Sequence, residues 1–158
     1  MMMKKIAFCV AGIAVATSTA FAASHIDPAV AGAIKARQAH MQLYAHNIGV
    51  LGAMAQDKAP YDAEAASAAA SNIVALSQLS QRTYWPEGSD NTAIESTKAL
   101  PAIWQNMADV GTKADALVQA ALAVEAAAGT DLDALKAAMS GLGGACGACH
   151  KAYRQPSE

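Results

Sequence analysis

Large side chains and charge are scarce in this sequence. Only 5% of the 158 residues are aromatic and 15% charged, against 54% hydrophobic. The only two phenylalanines, Phe8 and Phe21, fall at the extreme N-terminus. Neither sign of charge dominates: 11 basic and 13 acidic residues give a net charge of −2, so there is no basic patch of the kind nucleic acid requires. No apolar run is long enough to span a bilayer comfortably. The alternating apolar pattern of strands is missing, as is any repeat of solenoid length. Only three cysteines are present.

The N-terminus reads as a leader. Lys4 and Lys5 form a basic segment, Ile6 to Ala16 is apolar, and Ala20-Phe21-Ala22 has the small-x-small pattern of a cleavage site. Residues 1–22 are therefore expected to be a cleaved signal peptide, leaving 23–158 as one domain. Cleavage removes Cys9, both phenylalanines and two lysines. The basic count falls from 11 to nine against the same 13 acidic residues, and the net charge moves from −2 to −4.

The two remaining cysteines carry the strongest signal. Cys146-Gly147-Ala148-Cys149-His150 is C-x-x-C-H, the attachment pattern of c-type haem. On a helix, residues three apart share a face, so both thiols reach the two vinyl groups along one porphyrin edge. His150 follows about 100° around the helix and can meet the iron. A redox dithiol would follow a strand in a βαβ context, and a zinc site would need further ligands. One covalently attached haem c is thus expected. A buried macrocycle would also make up for a core so poor in bulk. Export together with haem attachment points to the periplasm of a Gram-negative bacterium, with no membrane segment in the mature form.

The rest of the chain reads as helices. Asp27-Pro28 is a cap followed by proline at the first helical position. The inward stripe of that helix runs through Val30, Ile34, Arg37, Met41, Tyr44, Ile48, Leu51 and Ala55, in steps of four and three. Arg37 on such a stripe needs a partner, and haem propionates would serve. His40 and His46 lie off it and are read as surface residues. After a break at residues 58–62 comes an alanine-rich helix facing inward through Ala66, Ala69, Ile73, Leu76 and Thr83. A loop around Trp85-Pro86-Glu87-Gly88 follows. A third helix is expected from Pro101 to Gly129 along Ile103, Met107, Val110, Ala114, Leu117, Ala121 and Val124. The fourth, capped by Thr130 or Asp131, runs along Leu132, Leu135, Met139, Leu142, Cys146, Cys149 and Tyr153. Met54, Met107 and Met139 are read as core filler. The fold class is all-α, an antiparallel up-down-up-down four-helix bundle holding the cofactor on its inner face.

Several segments resemble the class II cytochromes c, cytochrome c′ and its low-spin relatives. They are Arg37-Gln38-Ala39-His40-Met41, Lys58-Ala59-Pro60-Tyr61-Asp62, Pro86-Glu87-Gly88-Ser89, Pro101-Ala102-Ile103-Trp104 and Gly144 to Arg154 around the haem motif. A C-terminal C-x-x-C-H is the mark of this class, and no methionine follows His150. The resemblance implies that Cys146 and Cys149 hold the haem and that His150 is the proximal ligand. It further implies that Arg37 and Gln38 approach the propionates, that Thr97 comes near the haem edge, and that Met41 faces the sixth coordination site. Arg154, one turn past His150, is placed to tune it, and Trp85 and Trp104 to pack near the haem.

Met41 leaves two functions open. As an iron ligand it would suit a single-electron carrier working with a periplasmic redox partner protein. As a mere cover it would leave a five-coordinate iron able to bind nitric oxide or carbon monoxide. An enzyme, such as a peroxidase, is not expected: it would want distal acid/base groups, and His40 and His46 read as off the pocket face. The alanine-rich second helix is compatible with a monomer or a homodimer.

Overall fold

The computed structural model describes residues 26–156. The proposed leader and His25 lie outside them. Five helices follow in order: α1 Pro28–Ala55, α2 Ala63–Ser77, α3 Ala102–Gln105, α4 Met107–Ala128 and α5 Leu132–Tyr153. The four long ones form the antiparallel bundle. α1 packs on α2, α2 on α4, α4 on α5, and α5 back on α1. No helix among the described residues is long and apolar enough to cross a membrane.

Local chemistry sets most boundaries. The Asp27 carboxylate accepts from Ala29 N at 2.7 Å, with Pro28 in the first turn. Asp62 accepts from the Glu64 and Ala65 amides, both at 3.0 Å, and Asp131 from Ala134 N at 2.8 Å. α1 stops at a turn in which Asp57 takes a positive φ of 56°, a conformation an Asx side chain tolerates. Gly129 ends α4 with φ −92°, so it is not there for a left-handed cap. A Cβ at this position would collide with the Ser67 hydroxyl, so glycine lets the α4–α5 turn approach α2.

Two helix boundaries differ from expectation. α2 ends at Ser77, and Thr83 lies outside it, exposed. The Ser77 hydroxyl donates back to the Val74 carbonyl at 2.8 Å, a local bond that competes with helix continuation. The helix expected from Pro101 is broken at Asn106, whose φ/ψ of −136°/40° separates α3 from α4. Asn106 Nδ2 donates to the Ala102 carbonyl at 3.0 Å, so the side chain takes an acceptor the helix would have used.

The core is concentrated at one end. Leu51, Met54, Ala66, Ala70, Ile73, Ala121, Val124, Ala128 and Leu135 form one buried cluster, which reaches Tyr44 and Leu142 midway along the bundle. The turns that close this end are pinned by Tyr61, which donates to the Ala128 carbonyl at 2.8 Å, and by the Lys136–Asp57 ion pair at 2.9 Å. At the other end the seam opens. Met41 is 39% exposed and Met107 50%, although both lie on the inward stripe; Met107 is therefore not core filler. Ala114 is also exposed, and Val110 and Leu117 are only half-buried.

Candidate haem site

The C-x-x-C-H motif occupies the last two turns of α5, at the open end. Cys146 and Cys149 are free thiols, both half-buried. Burial pushes both thiols up; a charge on Cys149 raises Cys146 further, while at Cys149 the Lys113 charge opposes burial and Asp109 adds to it. Cys149 packs into a second cluster with Tyr153, Ala99, Ile103, Val110, Trp85 and Trp104. The two tryptophans therefore pack in the same cluster as Cys149. His150 is exposed; its partial desolvation lowers its pKa, and the Arg154 charge lowers it further. Both effects favour the neutral imidazole, the form that ligates metal.

The long connection between α2 and α3 straps this end. The Leu100 amide donates to the Tyr153 carbonyl at 3.0 Å and the Gln155 amide to the Lys98 carbonyl at 2.8 Å, around an isolated Ala99–Arg154 bridge. The other anchor is Arg37, only 3% exposed. Its Nη1 donates to the Tyr84 carbonyl at 3.1 Å and the Ser89 hydroxyl at 2.7 Å. Its Nη2 donates to the Ser89 carbonyl and to Thr97 Oγ1 at 2.8 Å. The guanidinium also lies 4.8 Å from the centre of the Trp85 ring. Four of its five donors are thus engaged by the strap, which is the partner burial demands. Ser89 is fully buried and donates onward to the Pro86 carbonyl. Gln38, exposed, donates to the Ser96 carbonyl at 2.7 Å. Arg37, Gln38 and Thr97 therefore come together as one junction between α1 and the strap.

His40 is not the surface residue its position suggested; it is 4% exposed. Its Nε2 lies 3.0 Å from the Leu76 carbonyl, so this nitrogen carries the proton. Leu76 is in the last turn of α2, where carbonyls lack their helical donors, and His40 supplies one. The ring stacks on Tyr44 with centroids 4.9 Å apart and meets Tyr84 edge-on. Burial pushes the His40 pKa down, keeping it neutral. His46 is exposed, as expected.

A c-type haem fits these residues. The donor set needs two thiols and an imidazole on one helix face, and α5 provides them at the end where the seam stays open. Met41 and Met107, on the inward stripe, are left uncovered there, as are Leu43 and Leu79 off it. The Tyr44 hydroxyl, buried beside α5, has no hydrogen-bond partner among the described residues. A polar, apolar-edged group between α1 and α5 would cover the stripe and could satisfy the hydroxyl.

The profile of the cytochrome c′ family matches residues 32–154. This chain belongs to the cytochrome c′ family. Cytochrome c-554 of Cereibacter sphaeroides is 47% identical over 122 residues, covering 77% of this chain and 80% of that one. Other relatives bear the names cytochrome c′ and cytochrome c-556. The solved cytochrome c′ from Rhodobacter spheriodes superimposes with a TM-score of 0.79 at 34% identity, over 81% of this chain and 98% of its own. A cytochrome c′ variant from Alcaligenes xylosoxidans, solved with bound nitric oxide, gives 0.71 at 31% identity over 84% and 100%. The all-α bundle and the covalent haem c of this cytochrome c′ family follow, and Cys146 and Cys149 are the cysteines that fit attachment.

Proposed function

We propose that this cytochrome is a periplasmic carrier of single electrons in which Met41 is the sixth ligand. When bound, the haem supplies an iron that cycles between ferric and ferrous states. The protein's part is to hold and enclose it. Cys146 and Cys149 would fix one porphyrin edge to α5. His150, whose pKa is lowered by partial desolvation and by Arg154, would offer its imidazole to the iron. Arg37, clamped to Ser89 and Thr97, ties the strap over the open end and limits water access. Gln38 and Thr97 sit at this same junction, toward the haem edge.

The observation that carries the reading is the placement of Met41. It sits one turn beyond the buried Arg37 anchor on the inward stripe of α1, yet remains 39% exposed at the open end. A thioether there suits a ligand opposite histidine, a pair that raises the reduction potential. The gas-binding alternative draws on the relatives solved with nitric oxide and carbon monoxide, and needs Met41 unligated.

Optical and paramagnetic resonance spectra of the purified ferric protein separate the two. The electron carrier predicts a low-spin signal and a methionine–iron charge-transfer band, both lost in Met41→Ala. A high-spin spectrum unchanged by that substitution contradicts methionine ligation and favours gas binding.

A further inference from the structure

We propose that Tyr44 is a hydrogen-bond donor on the α1 side of the haem, built to hold a small acceptor ligand at the sixth coordination site when Met41 is not there. The inference rests on the haem reading but not on whether Met41 ligates.

Tyr44 is 6% exposed, and its hydroxyl has no partner among the described residues. A buried phenol normally finds one, because an unsatisfied hydroxyl is costly. Its neighbours do not supply it. His40 stacks nearly parallel on the ring, 15° between planes, and turns its protonated nitrogen away to the Leu76 carbonyl. The ring itself packs in the cluster that contains Leu142, one turn before Cys146 on α5. Burial raises the phenol pKa to about 12. Tyr44 therefore stays protonated and remains a donor. It lies three residues from Met41, hence on the same face of α1. A donor is thus held between the attachment helix and the position assigned to the sixth ligand, with its ring locked by His40.

The ligand class is a small anion or diatomic that accepts a hydrogen bond. Fluoride is a suitable probe, because its affinity for ferric haem responds directly to nearby donors. It would be titrated spectrophotometrically into ferric holoprotein carrying Met41→Ala, which opens the sixth site under either functional reading. The same titration on Met41→Ala/Tyr44→Phe should show about tenfold weaker binding, since a charge-assisted hydrogen bond is lost. Carbon monoxide, a poor acceptor, bound to the ferrous forms should distinguish the pair by less than about twofold. Equal fluoride affinities would overturn the assignment and leave Tyr44 a packing residue. Parallel losses for fluoride and carbon monoxide would also overturn it, indicating a reshaped pocket. A wild-type spectrum without methionine ligation would contradict the electron-carrier reading while leaving this test intact, whereas absence of covalent haem would overturn both.

Discussion

The two ends of the bundle are built on different principles. At the closed end, alanine does the work. Ala66, Ala70, Ala121 and Ala128 are fully buried and let α2 and α4 approach closely around Ile73, Val124 and Leu135, which are also fully buried. The turns of this end are closed by helix caps, the Tyr61 bond to the Ala128 carbonyl and the Lys136–Asp57 ion pair. At the open end, the same helical periodicity continues through Met41, Met107, Ala114 and Val110, but the side chains stay partly exposed. Order is kept instead by hydrogen bonds: the Arg37 junction with Ser89 and Thr97, and the strap tied to Tyr153 and Gln155. The closed end is a core that completes itself. The open end is a frame that leaves part of its apolar stripe uncovered.

Substitutions should expose this difference. Leu135→Ala, in the closed core, should cost about 2–5 kcal/mol by denaturant unfolding. Met107→Ala, on the same stripe at the open end, should cost less than about 1 kcal/mol in the haem-free chain, because little buried surface is lost. Comparable costs would erase the distinction. Arg37→Ala should destabilise the protein by about 2–4 kcal/mol, since it removes four hydrogen bonds and leaves the buried Ser89 carbonyl without its partner. Arg37→Lys should recover little, because an ammonium cannot reach four acceptors in a planar fork.

The smallest effect concerns acid. Asp109 accepts from the Tyr153 hydroxyl and pairs with Lys113 at 3.4 Å, and the Tyr153 bond holds its carboxyl below the usual carboxylate range. A depressed folded-state pKa contributes stability above the unfolded value, and that contribution is lost as pH falls through the folded one. Thermal melts through the acid range should therefore show an α4–α5 contribution at the open end that fades with acid. Asp109→Asn should flatten that part of the profile and leave the closed end unaffected.

How much of this was legible in the sequence also divides along the bundle. Asp27-Pro28, Asp62 and Asp131 announced their helices because capping is local. The four-three stripe located the inner faces because helical geometry is regular. What periodicity does not carry is side-chain competition for the backbone: Ser77 and Asn106 each bond a carbonyl of their own helix, and so α2 ends early and α3 separates from α4. His40 escaped for a similar reason. It is buried by a bond to the end of another helix, a contact no single-helix pattern encodes. Arg37 was read as needing a partner and the haem propionates were named for it, but in the structure the strap, about fifty residues away in sequence, takes four of its donors. The motif at residues 146–150 was legible at once, since its chemistry lies within five consecutive residues. The open seam around it was not, because a stripe read from sequence looks the same whether protein or haem covers it.

Hydrogen exchange on the holoprotein and on Cys146→Ser/Cys149→Ser, which cannot attach haem, tests the central claim most directly. The expected result is lost amide protection across residues 107–117 and 142–153, while residues 66–76 and 121–128 keep theirs. Equal loss at both ends, or protection unchanged near the motif, would contradict the account of an open end completed by its haem.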